Sequence, residues 1–258
     1  MSKSGFYKWC KPKVKNKELS IQKEAILKVY LASRENYGRR RVYQTLKIQG
    51  IKVGKNKVAK LMKQMGLYGF GKPKFVITTK PSKKPAFPNL IKDIEINSAN
   101  KVWVSDITYI PTKEGWLYLC SILDSFSRKV VGWSMSSNMK AELVLQALDM
   151  AFTARDIVET IFHSDQGSQY GSSKVRRALR KKGIRQSMTT KLGKCFENSQ
   201  AESFFSLLKK ELIHRCDFKT RKDAEAAIFE YIEVFYNRAR IHSSLGYLSP
   251  MVYEETNK

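Results

Sequence analysis

Three acidic residues far apart in the chain, Asp106, Asp165 and Glu202, stand where a folded sheet can bring their oxygens together. Asp106 interrupts the apolar run Trp103-Val-Ser-Asp-Ile-Thr-Tyr109. An acid in the middle of such a strand is costly to bury without a strong partner such as a metal ion. Asp165 follows a short strand-like segment in His163-Ser-Asp-Gln-Gly-Ser-Gln-Tyr170, at the carboxyl end of a strand, where open α/β sheets place ligands. Glu202 opens a helical pattern over 200–212. Phe204, Leu207 and Leu208 lie on one side of it, while Ser206 and Lys209 share the face of Glu202. The spacing therefore aims this acid away from the core, towards a site that Lys209 can line beside a phosphate.

Carboxylates without His or Cys form the donor set of Mg²⁺ or Mn²⁺. Two such ions about 4 Å apart serve in-line displacement at phosphorus. Without metal, clustered carboxylates repel one another and take up protons. Singly, each acid reads as a cap, turn or salt-bridge residue, and only their joint placement points to phosphoryl chemistry. His163, two residues before Asp165, reads as a packed or hydrogen-bonded histidine near the site.

The elements that must position these acids follow from the apolar periodicity. Residues 101–111, 116–126 and 128–135 predict three antiparallel strands, split by Gly115 and the 125–127 turn. A helix over 141–155 comes next, then a strand at 160–163, a basic helix from Ser173 to Lys182 and a strand at 184–188. That order is the one of a ribonuclease-H-like α/β mixed sheet with flanking helices. Asp124, in the second strand, reads as structural or as a support behind the three acids. A further helix over 220–238 carries the stripe Ala224, Ala227, Ile228, Tyr231, Ile232 and Phe235, either core or subunit contact. Arg238, Arg240 and His242 beyond it read as DNA contacts or as a solvated basic tail.

The front of the chain has a different texture. One helix is expected from Ile21, capped by Ser20 and broken at Tyr37-Gly38, a second from Arg39 to Gly50, and a third from Lys55 to Met65. The third puts Val58, Leu61, Met62 and Met65 on one face and Lys55, Asn56, Lys57, Lys60 and Lys63 on the other. This all-α region resembles a helix-turn-helix unit whose last helix enters a major groove, against the alternative of a solvated face on a small bundle. Arg39, Arg40, Arg41, Lys55, Lys57, Lys60 and Lys209 are the expected DNA contacts. The stretch 69–92 holds Pro73, Pro81, Pro85 and Pro88, six lysines and no acid before its end, so it reads as an extended basic linker. The expected organisation is 1–68 helical DNA-binding region, 69–96 linker, 97–214 catalytic core and 215–258 helical extension.

Composition supports the same partner. The 258 residues carry 48 Lys+Arg against 23 Asp+Glu, a formal net charge of +25. A polyanion relieves such self-repulsion and releases its own counterions. Cys10, Cys120, Cys195 and Cys216 have neither disulfide nor zinc spacing and read as reduced thiols. The opening MSKSGFYKWC lacks the apolar stretch of a secretory signal, and no apolar run is long enough for a membrane span.

Taken in order, several pieces resemble the insertion-sequence-three family of DDE transposases, specifically its second-reading-frame product, within the retroviral-integrase superfamily. They are Ser4-Gly-Phe-Tyr-Lys-Trp9, Tyr37-Gly-Arg-Arg-Arg-Val42, Trp103–Tyr109, Asp124-Ser-Phe-Ser-Arg-Lys-Val-Val-Gly-Trp133, His163–Tyr170, Asn198-Ser-Gln-Ala-Glu-Ser-Phe-Phe205 and Tyr236-Asn-Arg-Ala-Arg-Ile-His-Ser-Ser-Leu-Gly-Tyr-Leu-Ser-Pro250.

The resemblance implies that Asp106, Asp165 and Glu202 are the DDE residues, holding two Mg²⁺ or Mn²⁺ ions. The implied reaction frees a 3′-hydroxyl at the element end, which attacks another strand by transesterification with no covalent enzyme intermediate. It further implies double-stranded DNA as partner, a homo-oligomer on DNA, an upstream-frame DNA-binding partner or frameshift fusion, and a bacterial cytoplasmic, nucleoid-associated location. Two departures stand out. The 36 residues from 166 to 201 are one more than the family's usual spacing, with the extra residue near Lys191-Leu-Gly193, and Glu197-Asn198 replaces the usual Asp-Asn pair. The rival readings are a non-catalytic DNA-binding protein, an inactive transposase relic, and a ribonuclease cutting RNA–DNA hybrids.

Overall fold

The structure is a computed structural model that describes residues 3–69, 87–189 and 198–257, in two compact units. The first unit holds α1 (Lys3–Ala32), α2 (Arg39–Ile48) and α3 (Lys55–Gln64). Ile26 and Val29 of α1, Val42 and Leu46 of α2, and Val58, Leu61 and Met62 of α3 form its buried centre. The apolar face expected for α3 is therefore the one that is buried. One expectation fails: Ser20 does not cap a helix, because α1 already runs from Lys3 through it. A Ser hydroxyl is a cap only where the preceding backbone leaves the helix, which here it does not.

The second unit is built on β1 (Val102–Thr112), β2 (Gly115–Asp124), β3 (Val130–Ser136), β4 (Ile161–Ser164) and β5 (Arg185–Met188), in the order β3-β2-β1-β4-β5. β1 pairs antiparallel with β2 and parallel with β4, and β5 extends the parallel half. Side-chain alternation sends the two faces of the sheet to different cores. Val102 and Val104 of β1 pack with Ala201, Phe204 and Leu208 of α6 (Ser199–Glu211) and with α7 (Arg221–Phe229). Trp103 packs on the other face with α4 (Ala141–Ala154) and α5 (Ser173–Lys181). Helix α4 lies so close to β3 that a Cβ on Gly132 would run into the carbonyl oxygen of Ala147. Only glycine allows that approach.

The C-terminal region departs most from expectation. In place of one helix to Arg238, α7 ends at Phe229 and gives way to a π-helical stretch, Glu230–Tyr236. Its wider turn keeps Tyr231, Ile232, Phe235 and Tyr236 all buried against the α6 side of the sheet. A last helix, α8 (Pro250–Thr256), was not expected, although Ser249 at its cap and Pro250 in its first turn are ordinary start signals. Residues 70–86 of the expected linker lie outside the described residues. Its remaining part packs on the sheet, with Leu90, Ile91, Ile94 and Ile96 against the α6-side core.

Candidate active site

Strand register brings the first two acids together. The β1–β4 ladder ends with Ser105 opposite Ser164, and the residues that follow this pair are Asp106, within β1, and Asp165, just past β4. Alternation places Asp106 on the same face as Val102 and Val104, the face covered by α6. Glu202 sits in the first turn of α6 with its side chain exposed, beside the buried Ala201 and Phe204. The helix is held in place by Asn198, whose Nδ2 donates to the carbonyl of Ser105 at 3.1 Å, and by Gln200, whose Nε2 donates to the carbonyl of Ser125 at 3.1 Å.

One oxygen of Asp106 and one of Asp165 is tethered by a backbone N–H. Asp106 Oδ1 accepts from the Ile107 N–H at 2.8 Å, and Asp165 Oδ1 accepts from the Gly167 N–H at 2.9 Å. Burial, then repulsion from Asp165, pushes the Asp106 carboxyl up to about 7; Glu202 adds to the rise, while the Ile107 N–H and Lys209 oppose it. Burial likewise raises Asp165 and Glu202 above the ordinary carboxylate range. The three acids thus share one electrostatic neighbourhood, and a cation would relieve it.

An all-oxygen donor set of this kind fits Mg²⁺ or Mn²⁺. Among the described residues no three acidic, His or Cys side chains are close enough together to hold an ion. Residues 190–197, which lead into α6 and contain the extra residue near Lys191, lie outside the described residues.

Lys209, two turns after Glu202, places its Nζ 5.1 Å from the centre of the Tyr109 ring and is felt by Asp106. Burial lowers the Lys209 ammonium, with Asp106 opposing that fall. His163 is fully buried and its Nδ1 lies 2.8 Å from Ser187 Oγ. Asp124 is also fully buried, accepting from the N–H groups of Asn100 at 2.6 Å and Phe126 at 2.8 Å, which makes it a turn-organising carboxylate.

Sequence reasoning missed a polar network under the acids. Tyr170 Oη lies 2.9 Å from Ser105 Oγ, linking the residue before Asp106 to the loop that carries Asp165. Both side chains are buried, as is the neighbouring Cys120, whose thiol burial pushes up to about 12. The signal available was a tyrosine and a serine in otherwise apolar surroundings, which must find partners when buried.

One sequence reading is overturned. Arg240 neither contacts DNA nor lies in a solvated tail: it is 0% exposed, and its Nε and Nη2 donate to Glu211 at 2.8 and 2.6 Å. His242 is buried as well, while Arg238 is exposed. A guanidinium reaches so dry a position only because a carboxylate from α6 meets it there.

In the first unit Arg39, Arg40, Lys55, Lys57 and Lys60 are exposed, and Arg41 stacks 5.7 Å from the centre of the Tyr37 ring. Arg39–Arg41 open α2, and Lys55 and Lys57 open α3; each helix is capped by a glycine that offers no side-chain acceptor.

Comparison with known proteins agrees with this architecture. Profiles described as integrase core domain match residues 97–192 and 202–257, and one described as HTH-like domain matches 17–75. The chain is 42% identical over 253 residues to the transposase for insertion sequence element IS904 of Lactococcus lactis subsp. lactis, covering 96% of this chain and 98% of the relative. It is 36% identical over 267 residues to transposase InsF for insertion sequence IS3A of Escherichia coli K12, covering 100% and 91% respectively. A chain of a simian T-cell lymphotropic virus intasome, solved with the PP2A regulatory subunit B56 gamma, shares the fold with TM-score 0.50 and 13% identity over 89% of this chain and 74% of that one.

Proposed function

This chain belongs to the IS3-family insertion-sequence transposases, and from that premise we propose that Asp106, Asp165 and Glu202 are its catalytic acids in metal-dependent DNA cleavage and strand transfer. The observation that supports the reading is the register of β1 and β4, whose last pair, Ser105 opposite Ser164, is followed on one strand by Asp106, within β1, and after the other by Asp165, just past the end of β4. Two Mg²⁺ or Mn²⁺ ions held by the three carboxylates would supply activation of the attacking oxygen and stabilisation of the leaving one.

The residues of the chain do the rest. The backbone tethers on Asp106 and Asp165 fix one oxygen of each and leave the other for the ions. The Asn198 and Gln200 side chains hold the start of α6 so that Glu202 enters from the opposite side. Lys209 presents positive charge where a DNA phosphate beside Asp106 would lie. The basic openings of α2 and α3 also suit phosphates. Their uncapped N–H groups attract anions, and crowding cations there is unfavourable until an anion arrives. Arg39, Arg40, Arg41, Lys55, Lys57 and Lys60 are accordingly the proposed duplex contacts.

The partner is double-stranded DNA, the element ends and the target, bound by a homo-oligomer with or without an upstream-frame protein, at the nucleoid in the bacterial cytoplasm. Among the described residues no helix is long and apolar enough to cross a membrane. The test is strand cleavage of duplex carrying the element end, with Mg²⁺ or Mn²⁺ present. Wild-type chain cuts and Asp165→Asn does not, although it still binds. Binding without cleavage under either ion, by wild type as well, would leave a DNA-binding relic; preference for an RNA–DNA hybrid would make it a ribonuclease.

A further inference from the structure

We propose that Tyr109 and Trp116 form a stacking platform for an unpaired DNA base on the outer part of the β1–β2 hairpin, next to the three acids. The inference rests on the reading of the chain as a DNA strand-transfer enzyme and adds a base-binding subsite to it.

Among the described residues, no strand pairs with β1 on its β4 side beyond Ser105. Tyr109 and Trp116 stand on this outer part of the β1–β2 hairpin, 41% and 50% exposed, with their rings edge to face at 5.0 Å. Two large aromatics left in water together cost hydrophobic free energy unless a flat ligand covers them. The platform is rigid. Arg221 donates to the carbonyls of Glu114 at 2.7 Å and Trp116 at 3.1 Å, its N–H donates to Glu114 Oε2 at 2.8 Å, and the Lys113 N–H donates to the Phe218 carbonyl at 3.0 Å. Gly115 closes the turn at φ +104, a conformation L side chains avoid, and a Cβ there would lie 3.0 Å from Arg221 Nη2. An aromatic surface organised this firmly loses little entropy when a base stacks on it.

Charge and position point to the occupant. Lys209 reaches both Tyr109 and Asp106, its Nζ over the ring of the first and its charge felt by the second. It therefore sits between the acids and the aromatics, where the backbone of a bound strand would pass. Tyr109 is three residues from Asp106, about 10 Å along a strand. Alternation puts the two on opposite faces of the sheet, so a strand reaching both must turn over the edge. A base in a paired stack has no face free to follow that turn, whereas an unpaired one does. The chain's +25 charge suits the same polyanion.

Equilibrium binding in EDTA separates this subsite from catalysis. The full chain is titrated by fluorescence anisotropy against two labelled element-end duplexes, one fully paired and one with unpaired terminal bases. Wild type is expected to prefer the unpaired end. Trp116→Ala loses about 5- to 150-fold in affinity for that end, the range for one stacked base, with the paired duplex unchanged. Trp116→Phe keeps most of the preference. Trp116 is half exposed, and far-UV circular dichroism and thermal melts establish that both variants fold. A wild type with no preference, or Trp116→Ala with wild-type preference, overturns the platform while leaving duplex binding and the acids intact. A wild type that binds neither duplex overturns the DNA reading itself, and the platform with it.

Discussion

The side-chain amide of Asn198 donates to the main-chain carbonyl of Ser105 at 3.1 Å, joining residues separated by 93 positions. One is four residues before Glu202 and the other immediately precedes Asp106, so this bond couples the third acid to the first. Asn198 is buried, and a buried backbone carbonyl that loses its donor destabilises the fold. Asn198→Ala is therefore expected to cost about 1–2 kcal/mol in urea denaturation. Cleavage should fall by more than the stability loss explains, because Glu202 loses its register. Cleavage in proportion to the folded fraction would show that the bond is only structural.

The metal-free protein should lose stability as pH rises. Asp106 is raised from 3.8 to about 7, so between those values the folded state holds a proton that the unfolded chain has released. Stability is unaffected below about 4, falls through the window, and is lowest above 7. Asp106→Asn removes the penalty and should stabilise the metal-free chain by about 1–3 kcal/mol at pH 8, with little change at pH 4. Mg²⁺ should raise the melting temperature of wild type and not of the variant. A variant less stable than wild type at pH 8 in EDTA contradicts this.

Glu254 should behave in the opposite sense. Burial opposes its charge, but hydrogen bonds from Arg155 at 2.7 and 2.9 Å and from Ser127 at 2.6 Å, with Lys129 nearby, outweigh burial and lower its pKa below 4.5. Its contribution is complete above pH 4.5 and is lost as pH falls through the lowered value. Arg155→Ala is expected to cost about 1–3 kcal/mol at pH 7 and distinctly less at pH 3, measured by chemical denaturation. An equal cost at both pH values would mean that packing, not charge, ties α8 to the sheet.

The Glu211–Arg240 pair predicts a non-additive result. Among the described residues, Arg240→Ala leaves the buried Glu211 carboxylate with the Tyr231 hydroxyl, 2.9 Å from Oε2, as its hydrogen-bond partner, and should cost about 3–5 kcal/mol. Replacing both partners with apolar residues, Arg240→Met with Glu211→Leu, should cost less than the single change. DNA affinity of any folded single variant should be unchanged, since neither side chain reaches the surface. A double variant worse than the single one would refute the desolvation argument.

For the duplex contacts the readout is salt dependence. Lys57→Ala and Lys60→Ala should each weaken binding on all sequences alike and reduce the slope of log affinity against log salt by about 0.9. An unchanged slope would remove that lysine from the phosphate footprint.

Most elements were legible in the chain, because which face of a strand or helix is apolar is a local property of two- and 3.6-residue periods. The alternation Val102, Val104, Asp106 and the apolar stripe Ala201, Phe204, Leu208 carry that information in short windows. Composition likewise pointed to a polyanionic partner, since net charge is additive.

What required the tertiary structure was every property that depends on which face covers which. Arg240 reads as one more surface cation until α6 supplies Glu211 from 29 residues away. The π-helical turn arises because Tyr231, Ile232, Phe235 and Tyr236 must all fit one core, which no sequence window records. Tyr109 and Trp116 look like core residues by type, yet they are exposed; among the described residues the β1–β4 ladder stops at Ser105 and the β2–β3 ladder at Tyr118. The free energy of burying a charge or exposing a ring is set by neighbours in space, and those are chosen only when the layers pack.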